Sequence, residues 1–459
     1  MRITFEVPED TLHGLLDGVP IPHMVRVRYT MRTHAPITDI DAAVTQQLRQ
    51  PELQDLVRAG QRIAIGVGSR GIGRLSEIVA ALARELRRRG AEPFVFPAMG
   101  SHGGATAAGQ RDVLAHLGVT EGRVGAPIVS DMATDEVGQT EDGIPVRLDR
   151  HALGADGIVF VARIKPHTAF RGAYESGLAK MIAIGIGKQS GAAACHAAGF
   201  GDMARRVPAL AEVALARSPI SFGLAVLENA HDEPYKLVAV PASRILADEP
   251  ALLSEAKAAM PRIPFDQLDV LVIDEIGKNI SGDGADPNIT GRYPTPFASG
   301  GPVVAKQVVL DLTAQTGGNA NGIGTADFTT VRAARKMDFG HTYPNGLTST
   351  VVGPVALPMV LPSDRLAFAA ALLTCNAVGR EPRLLRIANT LRLGEFMAST
   401  SLMDDIRANA ALEVVTRPEP PAFDVEGNLR DIGSPLLAGS HADVPMTTDG
   451  ILVTGAARR

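Results

Sequence analysis

Tryptophan is absent from these 459 residues, and aromatic residues make up only 4% of them. Glycine (47) and proline (31) are plentiful instead, as expected where many short loops join strands to helices. Only two cysteines occur, Cys195 and Cys375, with no C-x-x-C pair. That excludes a disulfide framework and a cysteine-built zinc or redox site, and it points to a cytoplasmic protein. No uncharged apolar run reaches about 18 residues, so no transmembrane helix is expected. The opening MRITFEVPED has neither an apolar centre nor a small-residue cleavage site, and does not read as a signal peptide. Charge of one sign is not in excess either. With a net charge of -5 and a pI near 6.1, no basic field draws the chain to nucleic acid or to an anionic membrane. Small molecules are the expected partners, and a homo-oligomer stays open.

What is present is a long chain, 45% hydrophobic and 21% charged, able to bury two cores. The run RIAIGVG, Arg62 to Gly68, is short, apolar and closed by glycine, the pattern of a buried parallel strand entering a turn. Ser76 to Arg89 reads as an amphipathic helix stopped by Gly90. FVFPAMG, GIVFVA, FGLAVLE and KLVAV add strands, and DVLVIDEIG restarts the pattern after Pro261 and Pro264. A strand at Arg2 to Val7 and helices at Ala367 to Leu373 and Arg383 to Leu391 complete the expectations. The fold class is therefore α/β, in two α/β domains with a cleft between them, the second Rossmann-like. The expected boundaries are a catalytic and cofactor-binding domain at 1–262 and a closing domain at 266–416. The tail 417–459 is expected to pack back across the surface, on the first domain.

Ligands of such folds bind at the carboxyl ends of strands, which gathers Ser69, Arg70, His102, Lys165 and His167 into one crevice. The stretch Ile164 to His196 adds Lys180 and His196. Lys180 stands among Gly, Ala, Ile and Met, where desolvation favours a neutral, nucleophilic amine. His167 and His196 suit metal ligation or general-base chemistry near neutral pH. Taken singly, each histidine also reads as an ordinary structural residue.

Gly66, Gly68 and Gly71 spell G-x-G-x-x-G between a strand and a helix, but the acid required at the end of the next strand is missing. The segment around Lys188 imitates a phosphate loop and fails it, with Ile182 in place of the first glycine and Gln189 in place of Ser or Thr. Lys188 and Arg171 remain candidates for contact with an anionic group.

Taken in order, GSHGG with His102, the KPH step ending in His167, Lys180, and His196 sixteen residues on resemble the nickel-dependent lactate racemase family. The resemblance is good over about Ile63 to His196 and only general beyond. It implies a nickel pincer nucleotide, a nickel-bearing pyridinium mononucleotide, covalently held by Lys180, with His196 as nickel ligand. Ser69 and Lys188 would assist cofactor binding. His102 and His167 would be the acid/base pair for hydride transfer between a 2-hydroxy acid and the cofactor, and Arg70 would hold substrate. Such a protein depends on separate cofactor-biosynthesis proteins for loading. The lactate enzymes pack substrate with aromatic residues including a tryptophan, and this chain has none. The second-domain cluster of tyrosine, glutamine and lysine is replaced by GKNISGDGADPNITGR, in which Lys278 and Arg292 are the candidate substrate cations. The reading is thus a racemase or epimerase of a 2-hydroxy acid larger or more polar than lactate. An NAD-dependent oxidoreductase and a non-catalytic binder of the nickel nucleotide stay open beside it.

Overall fold

A computed structural model describes residues 6–69 and 71–431. The strands run β1 (Met24–Tyr29), β2 (Arg62–Val67), β3 (Glu92–Pro97), β4 (Thr134–Gln139), β5 (Pro145–Asp149), β6 (Gly157–Arg163), β7 (Ile220–Glu228) and β8 (Pro234–Pro241). They continue with β9 (Gln267–Ile276), β10 (Val303–Leu312), β11 (Phe328–Thr330), β12 (Met359–Leu361), β13 (Leu384–Ile387), β14 (Glu395–Ser399) and β15 (Leu412–Val414). Two large sheets organise them, with β4 and β5 paired as a separate two-stranded ribbon, and the α/β expectation holds.

The first sheet has the order β3-β2-β6-β7-β8, parallel except for β8, which returns antiparallel to β7. Its strands are apolar on both faces because helices cover both. Ile63, Ile65 and Val67 of β2 and Val95 of β3 enter one core, while Ala64, Phe94 and Phe96 enter the other. The helix Leu75–Arg88 lies on the first of these cores and Met203–Arg217 on the second. Burying a single Leu, Ile or Phe here stabilises the fold by about 1.5–3 kcal/mol, so the sheet is a rigid platform for the loops at its edge.

The second sheet has the order β12-β11-β10-β9-β13-β14-β1-β15. The five strands from β12 to β13 are parallel, and β14, β1 and β15 are joined antiparallel. Strand pairing therefore does not follow a division at residue 262, because β1 lends Val25 and Val27 to the core of the second sheet. The described part of the tail also packs on the second sheet, not the first. Met24 bridges to Glu419, Phe423 meets Phe368 at 5.9 Å, and Leu429 N donates to Asp364. Residues 432–459 lie outside the described residues, as does most of the strand expected at Arg2 to Val7.

The helix expected at Arg383 to Leu391 is instead β13, with all four residues of Leu384–Ile387 buried beside β9. A four-residue buried run carries no helical period, and Arg386 is fixed in the sheet by a paired contact to Asp274 at 2.7 and 2.8 Å. Among the described residues, no helix is long and apolar enough to cross a membrane.

Candidate active site

In the first sheet β2 lies between β3 and β6, so the chain leaves β2 toward one side and returns on the other. A crevice opens at such a reversal, at the carboxyl ends of the strands. Three loops meet there, after β2 (Gly68, Ser69), after β3 (Ala98 to His102) and after β6 (Ile164 to His167).

His102 is exposed, and its Nδ1 lies 2.9 Å from Met99 O and 3.0 Å from Ser69 Oγ. A carbonyl only accepts, so Nδ1 carries the ring hydrogen and Nε2 the lone pair. His167 is arranged the other way. Ala169 N–H donates to its Nδ1 at 3.0 Å, which leaves the hydrogen on Nε2 of the neutral ring. The two histidines therefore rest in opposite tautomers, one with an accepting Nε2 and one with a donating Nε2.

Lys180 and His196 sit on a broken helix. A turn at Leu178–Lys180 runs into a π-helix, Met181–Ile186, and then into the helix Lys188–His196. A straight helix would set residues sixteen apart about 24 Å from one another. Here Lys188 adopts φ 54°, in the left-handed region, and the chain turns back on itself. Lys180 consequently lies close enough to act on His196 electrostatically. His196 Nδ1 donates to Ala192 O at 2.7 Å, so Nε2 holds the lone pair that a metal would take. Burial, joined by the Lys180 charge, holds the His196 pKa below the usual imidazole value against the opposing effect of the Ala192 bond. It is neutral at pH 7, the form that ligates. Phe200 links the two loops, with ring centroids 5.7 Å from His196 and 5.8 Å from His167.

The turn bearing Lys180 starts on a buried carboxylate. Glu249 accepts from Ala179 N at 2.7 Å, and burial pushes its pKa up to about 7 against those backbone bonds. Across the crevice, Gly100 has φ 58°, and a Cβ there would lie 3.4 Å from Ile184 and 3.5 Å from Ala192. The His102 loop thus rests directly on both halves of the broken helix.

The His167 loop is braced from two directions. Buried Glu175 accepts from His167 N at 2.7 Å and pairs with Lys257 at 2.6 Å. Arg171 donates to His167 O at 2.6 Å and reaches the second sheet's loops at Asn288 Oδ1 (2.7 Å), Tyr293 OH (2.8 Å) and Ser299 O (3.0 Å). Lys165 pairs with buried Asp286 at 2.7 Å, and Thr295 donates its hydroxyl to Ala169 O.

Four expected site residues are placed elsewhere or lie outside the description. Lys188, expected to meet an anionic cofactor group, points inward with no exposed surface. Its ammonium lies 2.6 Å from Pro97 O, 3.1 Å from Gln110 Oε1 and 3.1 Å from Asp149 Oδ2. Two hydrogen bonds and an ion pair with a buried carboxylate claim the ammonium, so a phosphate could be met only by breaking a buried pair. Arg292 pairs with Asp327 at 2.7 Å and donates to Thr325 O and Val304 O, which turns it onto β10 and the start of β11 and away from a substrate carboxylate. Arg70 lies outside the described residues. Lys278 donates to Gly282 O at 2.6 Å, closing its own loop.

The dinucleotide fingerprint also has another use. A Cβ on Gly68 would lie 2.8 Å from the Met181 methyl, so this glycine admits the π-helix next to Lys180. The loop after it donates from Gly73 N to Glu228 Oε1 at 2.6 Å, and Glu228 is held by Arg163 at 2.5 Å. Glu228 therefore claims a backbone amide just before the helix Leu75–Arg88. The residues that sequence reading passed over are Glu175, Glu249, Gln110 and Asp149. Glu175 alone carried a local signal, a carboxylate within the apolar stretch that bears Lys180.

Residues 16–207 match the lactate racemase N-terminal domain family. Comparison with curated proteins finds no match. Among solved structures, the lactate racemase apoprotein from Thermoanaerobacterium thermosaccharolyticum is similar at 13% identity and a TM-score of 0.48, covering 85% of this chain and 96% of that one.

Proposed function

We propose that this chain, whose residues 16–207 match the lactate racemase N-terminal domain family, racemises or epimerises a 2-hydroxy acid. His102 and His167 act on the hydroxyl proton, and a nickel pincer nucleotide is held by Lys180 and His196. Family membership supports racemase-type chemistry, and the site's own residues support the finer reading.

The donor set fits that cofactor. Lys180 offers an amine for a covalent link, and His196 offers one neutral imidazole aimed by Ala192. Among the described residues no group of three or more His, Cys, Asp or Glu side chains is placed to hold a metal, so a nickel ion here would take its other donors from an organic frame. When bound, the nickel pincer nucleotide supplies a hydride acceptor for the hydrogen of the α-carbon. The chain's part is proton handling and positioning. His102 Nε2 takes the hydroxyl proton, and His167 Nε2–H donates a hydrogen bond to the same oxygen as it gains and loses charge. Phe170 and Phe200 wall off the His167 side and keep water from the reacting carbon. The substrate is a 2-hydroxy acid larger or more polar than lactate, because no tryptophan is available to pack a methyl group.

The observation that carries the reading is the elbow that sets Lys180 beside a neutral His196. Its test is intact mass and nickel content of protein made together with cofactor-biosynthesis enzymes. One mononucleotide on Lys180 and about one nickel per chain are expected, with no adduct in Lys180→Ala. An unmodified Lys180 under those conditions overturns the cofactor assignment. With loaded protein, a panel of hydroxy acids carrying α-deuterium separates hydride transfer, which retains the label in ordinary water, from proton abstraction, which washes it out.

A further inference from the structure

Lys188 was a candidate for anion contact, and its buried geometry gives it a different task. We propose that Lys188, with Gln110, is a positioning residue that locks the broken helix of Lys180 and His196 to the loop of His102. This rests on the reading of those residues as the cofactor and acid/base site.

Two groups of contacts carry it. Lys188 holds the left-handed turn that folds the helix back, and its ammonium joins the end of β3 at Pro97, the helix Ala107–His116 at Gln110, and the end of β5 at Asp149. Gln110, itself fully buried, accepts from Lys188 and donates from its other amide atom to Gly100 O at 2.9 Å and His102 O at 3.3 Å. The path from the elbow to the backbone of His102 is thus two side chains long. Gly100 N donating to Gly185 O at 3.2 Å closes the same circuit on the π-helix. A tethered cofactor and a proton acceptor must stay in register within a fraction of an ångström, and a misplacement of about 1 Å costs roughly 100-fold in rate.

The test uses two variants of the full chain. Lys188→Met alone strands the Asp149 carboxylate and risks unfolding, so it is paired with Asp149→Asn, which keeps the cap on Ala152 N (2.9 Å) and removes the buried charge. Gln110→Met removes the link to the His102 loop and leaves Lys188 its contacts with Pro97 and Asp149.

In unloaded protein, the double variant is expected to lose amide-exchange protection together at residues 98–104 and 181–196, with the second sheet unchanged. Gln110→Met is expected to open 98–104 alone. In loaded protein, the double variant should carry less nucleotide on Lys180. Gln110→Met should load normally and lose about 100-fold in kcat with KM nearly unchanged. A double variant with parental exchange in both segments and parental loading overturns the junction. If instead the parent never takes up nucleotide, the cofactor reading fails, while the exchange result still decides the coupling on its own.

Discussion

The loop of His102 and the loop of His167 bring the same side chain to one crevice by opposite means. His102 is exposed and is held within the first sheet's unit by Ser69 and Met99 on its ring and Gln110 on its backbone. His167 is partly buried, and the loop around it is a joint product of both units, through Arg171 to Asn288, Tyr293 and Ser299. One histidine is ready whenever the first unit is folded. The other draws part of its bracing from the second unit, beside the Ala169 and Glu175 contacts of its own unit. Their tautomers differ in the same sense, with an accepting Nε2 on His102 and a donating Nε2 on His167. Under the proposed function, a pair that serves both enantiomers need not be symmetric at rest, and the second unit contributes to setting the second group.

The largest expected effect comes from removing either imidazole. His102→Ala and His167→Ala should each lower turnover by about 100- to 10,000-fold while nucleotide and nickel stay bound at Lys180 and His196. Parental turnover in either variant removes that residue from the pair. A smaller effect sharpens the contrast. Arg171→Met cuts the tie between His167 and the second unit without touching His102, and should lower kcat by about 10- to 100-fold. For enantiomers of equal energy kcat/KM must match in both directions, so the lesion should appear as kcat values that differ between the two substrates. Equal kcat losses in both directions, measured by chiral chromatography, would show that the two loops are not held independently. Ser69→Ala, which removes one of two partners of His102 Nδ1, is expected to cost only a few-fold because Met99 O still orients the ring.

How much of this was legible in the chain follows from how far apart the partners lie. Buried strands such as Arg62–Val67 announce themselves by an apolar run closed with glycine, and His102, His167, Lys180 and His196 were readable as an ordered series. Lys188 was misread because a lysine after Gly-Ile-Gly looks like an anion contact, while Asp149, Gln110 and Pro97, the groups that claim it, are remote in sequence. Arg292 was misread for the same reason, its acid Asp327 standing 35 residues on. Arg171 reaches partners 117 to 128 residues away, so its role as a strut has no local signature. Leu384–Ile387 failed as a helix because so short a run is shaped by its neighbours in the sheet.

The smallest expected effect on the comparison concerns the platform that both loops share. Glu249 begins the turn of Lys180, and its carboxyl has a folded pKa of about 7 against an ordinary value of 4.5. A raised carboxyl pKa means that the protonated form suits the fold. The associated stability is fully present below pH 4.5 and is lost as the pH climbs through about 7. Glu249→Gln keeps a carbonyl oxygen for Ala179 N and never ionises. Measured by urea unfolding, its stability relative to the parent should therefore improve steadily between about pH 5 and pH 8, by up to about 3 kcal/mol. Every other group is common to both proteins and cancels from that difference. Curves that run parallel across this window would mean that Glu249 is ionised throughout, and that the Lys180 turn is capped by a full charge.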